Sequence, residues 1–323
     1  MTFVKKVTKN QLFLPLFSMV LVMLVNIIYD VANGNPAFNF FSISINNGIL
    51  YGRLIDILNR GSEAAILALG MTLVVSSSAG TDISVGSVMS LAGGVCCVLL
   101  AGFGNVNVSM VATLILYSAG RAIGLLLCNS NIVYINVESF KFFGGYCWIF
   151  PTPILITVLC IVVTALVLKF TALGTYVQAV GINKEAARIS GYKSAAIIFI
   201  CYVVCGLFAG IAGITATSRI YSADTNNIGL NLEMDAILAV ALGGNSLGGG
   251  KFRLSGSIIG AYTIQAITTT LYALGVSSAQ APVFKAIIVI LIVTIQSPAV
   301  KAYFAKRAAV KNAMMNAGRE AQA

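Results

Sequence analysis

Residues 174–194 read GTYVQAVGINKEAARISGYKS, a polar island between two apolar runs, Ile154–Leu168 and Ala195–Gly213. A charged stretch flanked in this way sits in water at one face of a membrane. Its middle predicts a short helix. Asn183 is placed to cap it, and Glu185 stands in the first turn, where the helix dipole favours an anion. Ala186 and Ala187 propagate the helix and Gly191 is placed to end it. Two alanines keep its surface low and nearly flat, which suits a groove on another protein. An ordinary connection between two spans is the other reading of the same residues.

Outward from this stretch, composition fixes the class. Of 323 residues, 58% are hydrophobic and 9% charged, where a soluble domain carries about a quarter charged. The expected fold is all-α: a polytopic transmembrane helical bundle of about 9–10 membrane segments in two pseudo-repeated halves. Residues 1–323 then form a single membrane domain, with an N-terminal tail 1–11, the central loop 171–194 and a basic tail 299–323. The net charge of +10 would suggest nucleic acid in a soluble protein. Here the basic residues cluster at both ends and in the central loop, so the positive-inside rule accounts for them, and no nucleic-acid partner is expected. Cys96, Cys97, Cys128, Cys147, Cys160, Cys201 and Cys205 form no C-x-x-C pair, and histidine is absent. Catalytic and metal-ligating residues are therefore expected to be none.

In chain order, Leu12–Tyr29 reads as a first, uncleaved span and Asp30–Ile49 as an external loop. Leu54–Arg60 reads as a short interfacial helix, followed by spans at Ala64–Ser78 and Ile83–Ala101. Met110–Cys128 is apolar but interrupted by Arg121. Asn129–Tyr146 is polar and external, and Trp148 with its aromatic neighbours suits a membrane interface. Pro151–Phe170 and Ala195–Thr217 flank the central loop, whose Lys184, Arg188 and Lys193 mark the cytoplasm. Asp235–Gly243 is too short to span alone, and Gly243–Gly250 breaks it. Leu254–Leu274 and Val283–Gln296 complete the set, and both termini are predicted inside. Gly250-Lys251 imitates the end of a phosphate loop, but Asn245 stands where the first glycine belongs and Phe252 where Ser or Thr must follow the lysine. No nucleotide site is expected in this chain.

Broken apolar segments with glycine-flanked polar motifs occur at Gly80–Gly86 and Gly243–Gly250, a pattern that points to a central pathway. The candidates for that pathway are Thr72, Asp82, Ser84, Asn226, Asn227, Glu233, Asp235, Asn245 and Ser246. Their hydroxyl, amide and carboxylate groups can donate to and accept from a small polar solute. Of these, Asp82 reads first as the cap of the span that follows it, ahead of a contact to substrate.

Three motifs then carry a resemblance. Glu185-Ala186-Ala187 with Gly191 resembles the coupling loop of ABC importer permeases. Gly70–Val75 with Gly80–Ser87, and Leu232–Ile237 with Leu242–Gly250, resemble the two signatures of ribose-type sugar permeases. Ile55–Arg60, Ala223–Leu230 and Gln296-Ser297-Pro298 are similar to members that carry galactofuranose. The resemblance implies a permease subunit of a monosaccharide ABC importer in the bacterial inner membrane, working by alternating access. It implies docking of Glu185, Ala186, Ala187 and Gly191 on an ATPase subunit that binds ATP and Mg. It also implies a second permease chain, as homodimer or heterodimer, and a periplasmic or lipid-anchored sugar-binding protein. An ion-coupled secondary transporter is the alternative; a membrane-embedded enzyme would need a catalytic pair, and none is visible.

The chain departs from that family at one place. Only Gly102–Ser109 separates Ile83–Ala101 from Met110–Cys128, so roughly forty residues, one span with its turns, are missing. About nine spans cannot place both termini inside. Either Met110–Cys128 re-enters, or the first three spans are inverted, or the chain is a damaged copy. Arg121, costly at mid-membrane, favours re-entry. Residues 104–107 and 129–136 are then expected on one external side, and transport is expected to be weaker than in relatives of full length.

Overall fold

A computed structural model of the chain describes residues 12–36, 39–46, 48–78, 82, 84–89, 92, 116–129, 131–135 and 137–296. The described residues form a helical bundle with three small two-stranded ribbons. In chain order the elements are α1 (Phe13–Ala32), β1 (Ser44–Asn46), β2 (Ile49–Tyr51), α2 (Arg53–Ser78), α3 (Leu116–Leu127), β3 (Val133–Tyr134), α4 (Lys141–Gly144), β4 (Tyr146–Cys147) and β5 (Phe150–Pro151). There follow α5 (Thr152–Phe170), α6 (Leu173–Ile182), α7 (Lys184–Ile189), α8 (Ser194–Ile220), β6 (Ser222–Ala223), α9 (Leu232–Leu242), α10 (Leu254–Ala273) and α11 (Ala281–Gln296).

The centre of the bundle is α2. Every residue from Gly61 to Ser77 is buried, as in a helix that is enclosed on all sides. It is packed by α5, α6, α8, α9 and α10. Sequence reading divides this stretch into an interfacial helix, Leu54–Arg60, and a separate span from Ala64. The structure makes it one helix of 26 residues. The reason is Gly61, which does not end a helix here. A Cβ at Gly61 would lie 2.7 Å from the ring of Tyr262, so this glycine admits α10 against an unbroken helix.

Four helices among the described residues are long and apolar enough to cross a membrane: the stretch Pro15–Ala32, α2, α5 and α8. The outer faces of α1 and α5 leave Leu16, Phe17, Val20, Leu24, Ile28, Val158, Leu159 and Val163 exposed. Apolar side chains on both the packed and the open face are what a helix against lipid requires.

Side-chain pairs set the helix directions. Asn26 meets Thr270, so α1 and α10 run parallel. Glu63 meets Arg219 and Thr72 meets Ser257, so α2 runs opposite to both α8 and α10. One end of the bundle therefore gathers the β1–β2 pair, β3, α4, β4 and β5, the 221–231 segment and the turn into α11. At the other end lie α6, α7 and the glycine loop, together with Leu12 and Gln296.

The predicted polar loop 129–146 is ordered into β3, a 3-10 turn at Glu138–Phe140, and α4. β3 pairs with β6, Ser218 donates to the Phe140 carbonyl, and Gly144 lies so close to the Ser218–Arg219 backbone that a Cβ would overlap it. Cys128, Ile135, Phe140 and Ala223 form a small core beneath.

Candidate functional site

The central loop is two helices. Leu173–Ile182 forms α6, and α7 follows after the single residue Asn183. The Asn183 side chain accepts a hydrogen bond from Ala186 N at 3.0 Å, the N-cap its sequence position predicts. At the far end Gly191 has φ +87°, Gly191 N donates to the Arg188 carbonyl, and Tyr192 N donates to the Ala187 carbonyl, both at 3.0 Å. This is the glycine C-terminal closure, which pairs the Ala187 and Arg188 carbonyls of the last turn. The loop is tied back by the Ser194 hydroxyl on the Lys184 carbonyl at 3.3 Å and by Tyr176 against Tyr192, with ring centroids 5.0 Å apart.

The two alanines differ. Ala187 is buried against the bundle, whereas Ala186 and Glu185 face out. Ile189 is 85% exposed and Ile182 is 65% exposed. The outward surface is thus a low ridge, Ala186 and Glu185, bounded by two isoleucines. Glu185 and Arg188 approach to 3.5 Å with both side chains in solvent, a contact worth little energetically.

Behind this helix pair lies a buried polar joint. The Asn245 side chain accepts from Arg253 N at 2.7 Å and donates to the Arg253 carbonyl at 3.2 Å. Its amide also donates to the Ser257 hydroxyl at 2.7 Å, which receives the Thr72 hydroxyl at 2.6 Å. Gly250 N donates to the Ser76 carbonyl at 3.0 Å. Thr72 and Asn245, both pathway candidates, are therefore brought together in the interior. Ser257, which joins them, had no distinguishing sequence context.

The other candidates are spread along the bundle. Asp82 accepts from Ser84 N at 3.0 Å and from the Ser84 hydroxyl at 2.6 Å, an Asx turn onto Ser84, whose carbonyl accepts the first bond of the helical stretch 85–89, from Val88 N at 2.9 Å. Glu233 is buried with its carboxylate against Gly86, where a Cβ would overlap it; this sets the first glycine-flanked motif against the start of α9. Asp235 forms an ion pair with Lys285 of α11 at 2.8 Å. Asn226 and Asn227 are exposed, folded around Asp224 through Asn226 N at 3.1 Å and the Asn227 amide at 2.6 Å. Ser246 is exposed in the glycine loop.

Arg121 of α3 donates to the carbonyls of Thr225 and Asn226 at 2.9 and 2.8 Å. These bonds satisfy Nη1, whereas the buried Nη2 has no hydrogen-bond partner among the described residues, so the cost of the charge is only partly offset. Residues 104–107 themselves lie outside the described residues. Sequence reading also missed a buried pair, Glu63 with Arg219 at 2.7 Å, which holds α2 to α8. Outside the membrane, Lys141 beside Glu138 at 2.8 Å hydrogen-bonds its carboxyl and holds it below the usual carboxylate range.

A family model described as the permease component of branched-chain amino acid transport systems matches residues 127–295. The galactofuranose transporter permease protein of Escherichia coli (strain K12) is 40% identical over 286 residues, covering 80% of this chain and 84% of its own. The chain belongs to this permease family. The fructose import permease protein of Bifidobacterium longum is 34% identical, covering 92% and 90%. The ribose import permease protein of E. coli K12 is 36% identical, covering 86% and 92%. No solved structure matches the chain. As a permease component the protein is a transport subunit, held in the inner membrane by several spans. The permease alignments are longer than the stretch they cover here: 286 positions against 80% of 323 residues, or about 258. About thirty positions have no residue in this chain, enough for one span with its turns.

Proposed function

We propose that the chain is the membrane-spanning permease subunit of an ATP-driven ABC importer for a monosaccharide of the galactofuranose, ribose or fructose class. The observation that carries this reading is the capped helix α7, exposed at one end of an apolar bundle, in a chain 40% identical to a galactofuranose permease. In this reading α7 docks on a partner ATPase through Glu185, Ala186 and Ile189. ATP and Mg are bound by that partner, and this chain contributes no nucleotide site. A second permease chain completes the pathway and a periplasmic or lipid-anchored protein delivers the sugar. The end of the bundle that holds α7, Leu12 and Gln296 faces the cytoplasm. Asn226 and Asn227, exposed at the opposite end, are the first amides an arriving sugar meets.

Reconstitution into vesicles with the ATPase and binding protein tests this. Uptake of radiolabelled ribose, fructose or galactose is expected only with ATP inside the vesicle and binding protein outside. Uptake driven by a proton or sodium gradient without ATP would replace this reading with the ion-coupled one.

A further inference from the structure

We propose that the glycine loop between α9 and α10 is a mechanical joint through which the α6–α7 pair acts on the central helix α2. In it Thr72, Asn245 and Ser257 are positioning residues for transport rather than contacts to sugar. The proposal rests on the reading of α7 as the ATPase-docking helix.

Three sets of contacts carry it. The first is a three-way meeting at the end of α6. A Cβ at Gly181 would overlap both Ser76 O of α2 and Gly250 N of the loop, and Gly250 N donates to that same Ser76 carbonyl at 3.0 Å. A Cβ at Gly250 would also lie 3.1 Å from the Ile182 side chain. Backbone on backbone, with no side chain between, leaves no soft layer to absorb a displacement. Only Ile182 and Asn183 separate Gly181 from α7, so a push on α7 reaches Ser76 and Gly250 directly.

The second set is the loop's own clamp. Asn245 grips both backbone groups of Arg253, eight residues on, and holds the Ser257 hydroxyl. That hydroxyl receives Thr72 of α2. Thr72, Ser257 and Asn245 are 0%, 0% and 8% exposed. A buried network with its partners matched has few alternative arrangements, so it moves as a unit or switches as a unit. The third set joins the helices on either side of the loop. Gly243 and Gly260 would meet the backbone of Gly256 and Ala239 if they carried a Cβ, so α9 and α10 are locked at their shared end. The joint therefore connects α6, α9 and α10 to the one helix that the whole bundle surrounds. That is a contiguous physical network between the docking surface and the core.

The test uses the reconstituted complex of permease, ATPase and binding protein, with whichever of ribose, fructose or galactose the parental complex imports. Thr72→Val removes the hydroxyl at nearly constant shape, and Thr72→Ser keeps it. Asn245→Ala opens the clamp, and Lys251→Ala, exposed in the same loop, is the control. The readout is sugar imported per ATP hydrolysed. Thr72→Val and Asn245→Ala are expected to retain at least half of parental ATP hydrolysis while the ratio falls fivefold or more. Thr72→Ser and Lys251→Ala are expected to stay within twofold of the parent. Hydrolysis and import that fall by the same factor, as misfolding would produce, overturn the proposal. So does an unchanged ratio with a raised sugar concentration for half-maximal uptake, which would make these residues sugar contacts. A parental complex that shows no ATP-dependent import at all would instead remove the functional reading on which the joint rests.

Discussion

At the scale of single residues, α7 depends on two local devices with separable costs. Gly191 has φ +87° and no atom within 4 Å of where a Cβ would stand. Gly191→Ala therefore meets no clash and costs only the left-handed backbone, about 1–2 kcal/mol. Gly191→Pro also loses the N–H that closes on Arg188 and cannot adopt a positive φ. We expect the alanine variant to import sugar at a reduced rate and the proline variant not at all, with permease abundance in the membrane unchanged for both. Asn183→Ala should cost about 1 kcal/mol of local helix stability, visible as faster amide exchange in 184–189. Ile189 separates docking from folding. At 85% exposure it contributes nothing to the permease core, so Ile189→Asp should leave thermal stability intact. It should weaken ATPase binding at least tenfold, as loss of a buried apolar anchor does. A photocrosslinker at Ala186 should capture the ATPase; one at Ala187, which faces the bundle, should not.

At the scale of elements, two contacts decide how the helices after α8 are fixed. Gly260 lies so close to the Ala239 carbonyl that a Cβ would overlap it. Gly260→Val must push α9 off α10, and overpacking of this kind costs about 1–3 kcal/mol. A lower unfolding temperature in detergent is expected, together with loss of the Asn245 clamp. The Asp235–Lys285 pair, 13% and 14% exposed, joins α9 to α11. Removing one member leaves the other charge buried and unpaired, a cost of about 3–5 kcal/mol. Lys285→Met should therefore be severely destabilising, and Asp235→Asn added to it should restore most of the lost stability. Absence of such recovery would show that the lysine's stem, rather than its charge, holds α11.

At the scale of the whole molecule, the arrangement of ends makes a topological prediction. Asn131 lies beside β3 at one end, and Ser190 follows α7 at the other. In a cysteine-free background, single cysteines at these two positions should react with an impermeant thiol reagent from opposite faces, Asn131 from outside. The parity problem posed by nine spans is answered in part by the pairing of helices. The chain leaves α2 at the α7 end, reaches Cys128 at the opposite end, and the described chain begins and stops at the α7 end. A pathway that must release its cargo holds it weakly. Calorimetry of the isolated permease with free ribose, fructose or galactose should accordingly detect no micromolar binding.

What the sequence determined by itself is the part governed by neighbours in the chain. The membrane class follows from composition. The span Thr152–Phe170 lies within one residue of its predicted start, because an apolar run bounded by Pro151 and a turn has one reading. The cap at Asn183 and the closure at Gly191 were legible because each acts over three or four residues. Tertiary structure alone decided the rest. Leu54–Arg60 and Ala64–Ser78 read as separate segments until Tyr262, some two hundred residues later, is seen against Gly61 between them. Asp235 reads as an open carboxylate until Lys285 reaches it. Thr72 and Ser257 are 185 residues apart, and nothing local marks either as the other's partner. A hydroxyl's hydrogen bond is satisfied by whatever the fold brings within 3 Å, so the polar joint exists only once α2 and α10 have packed.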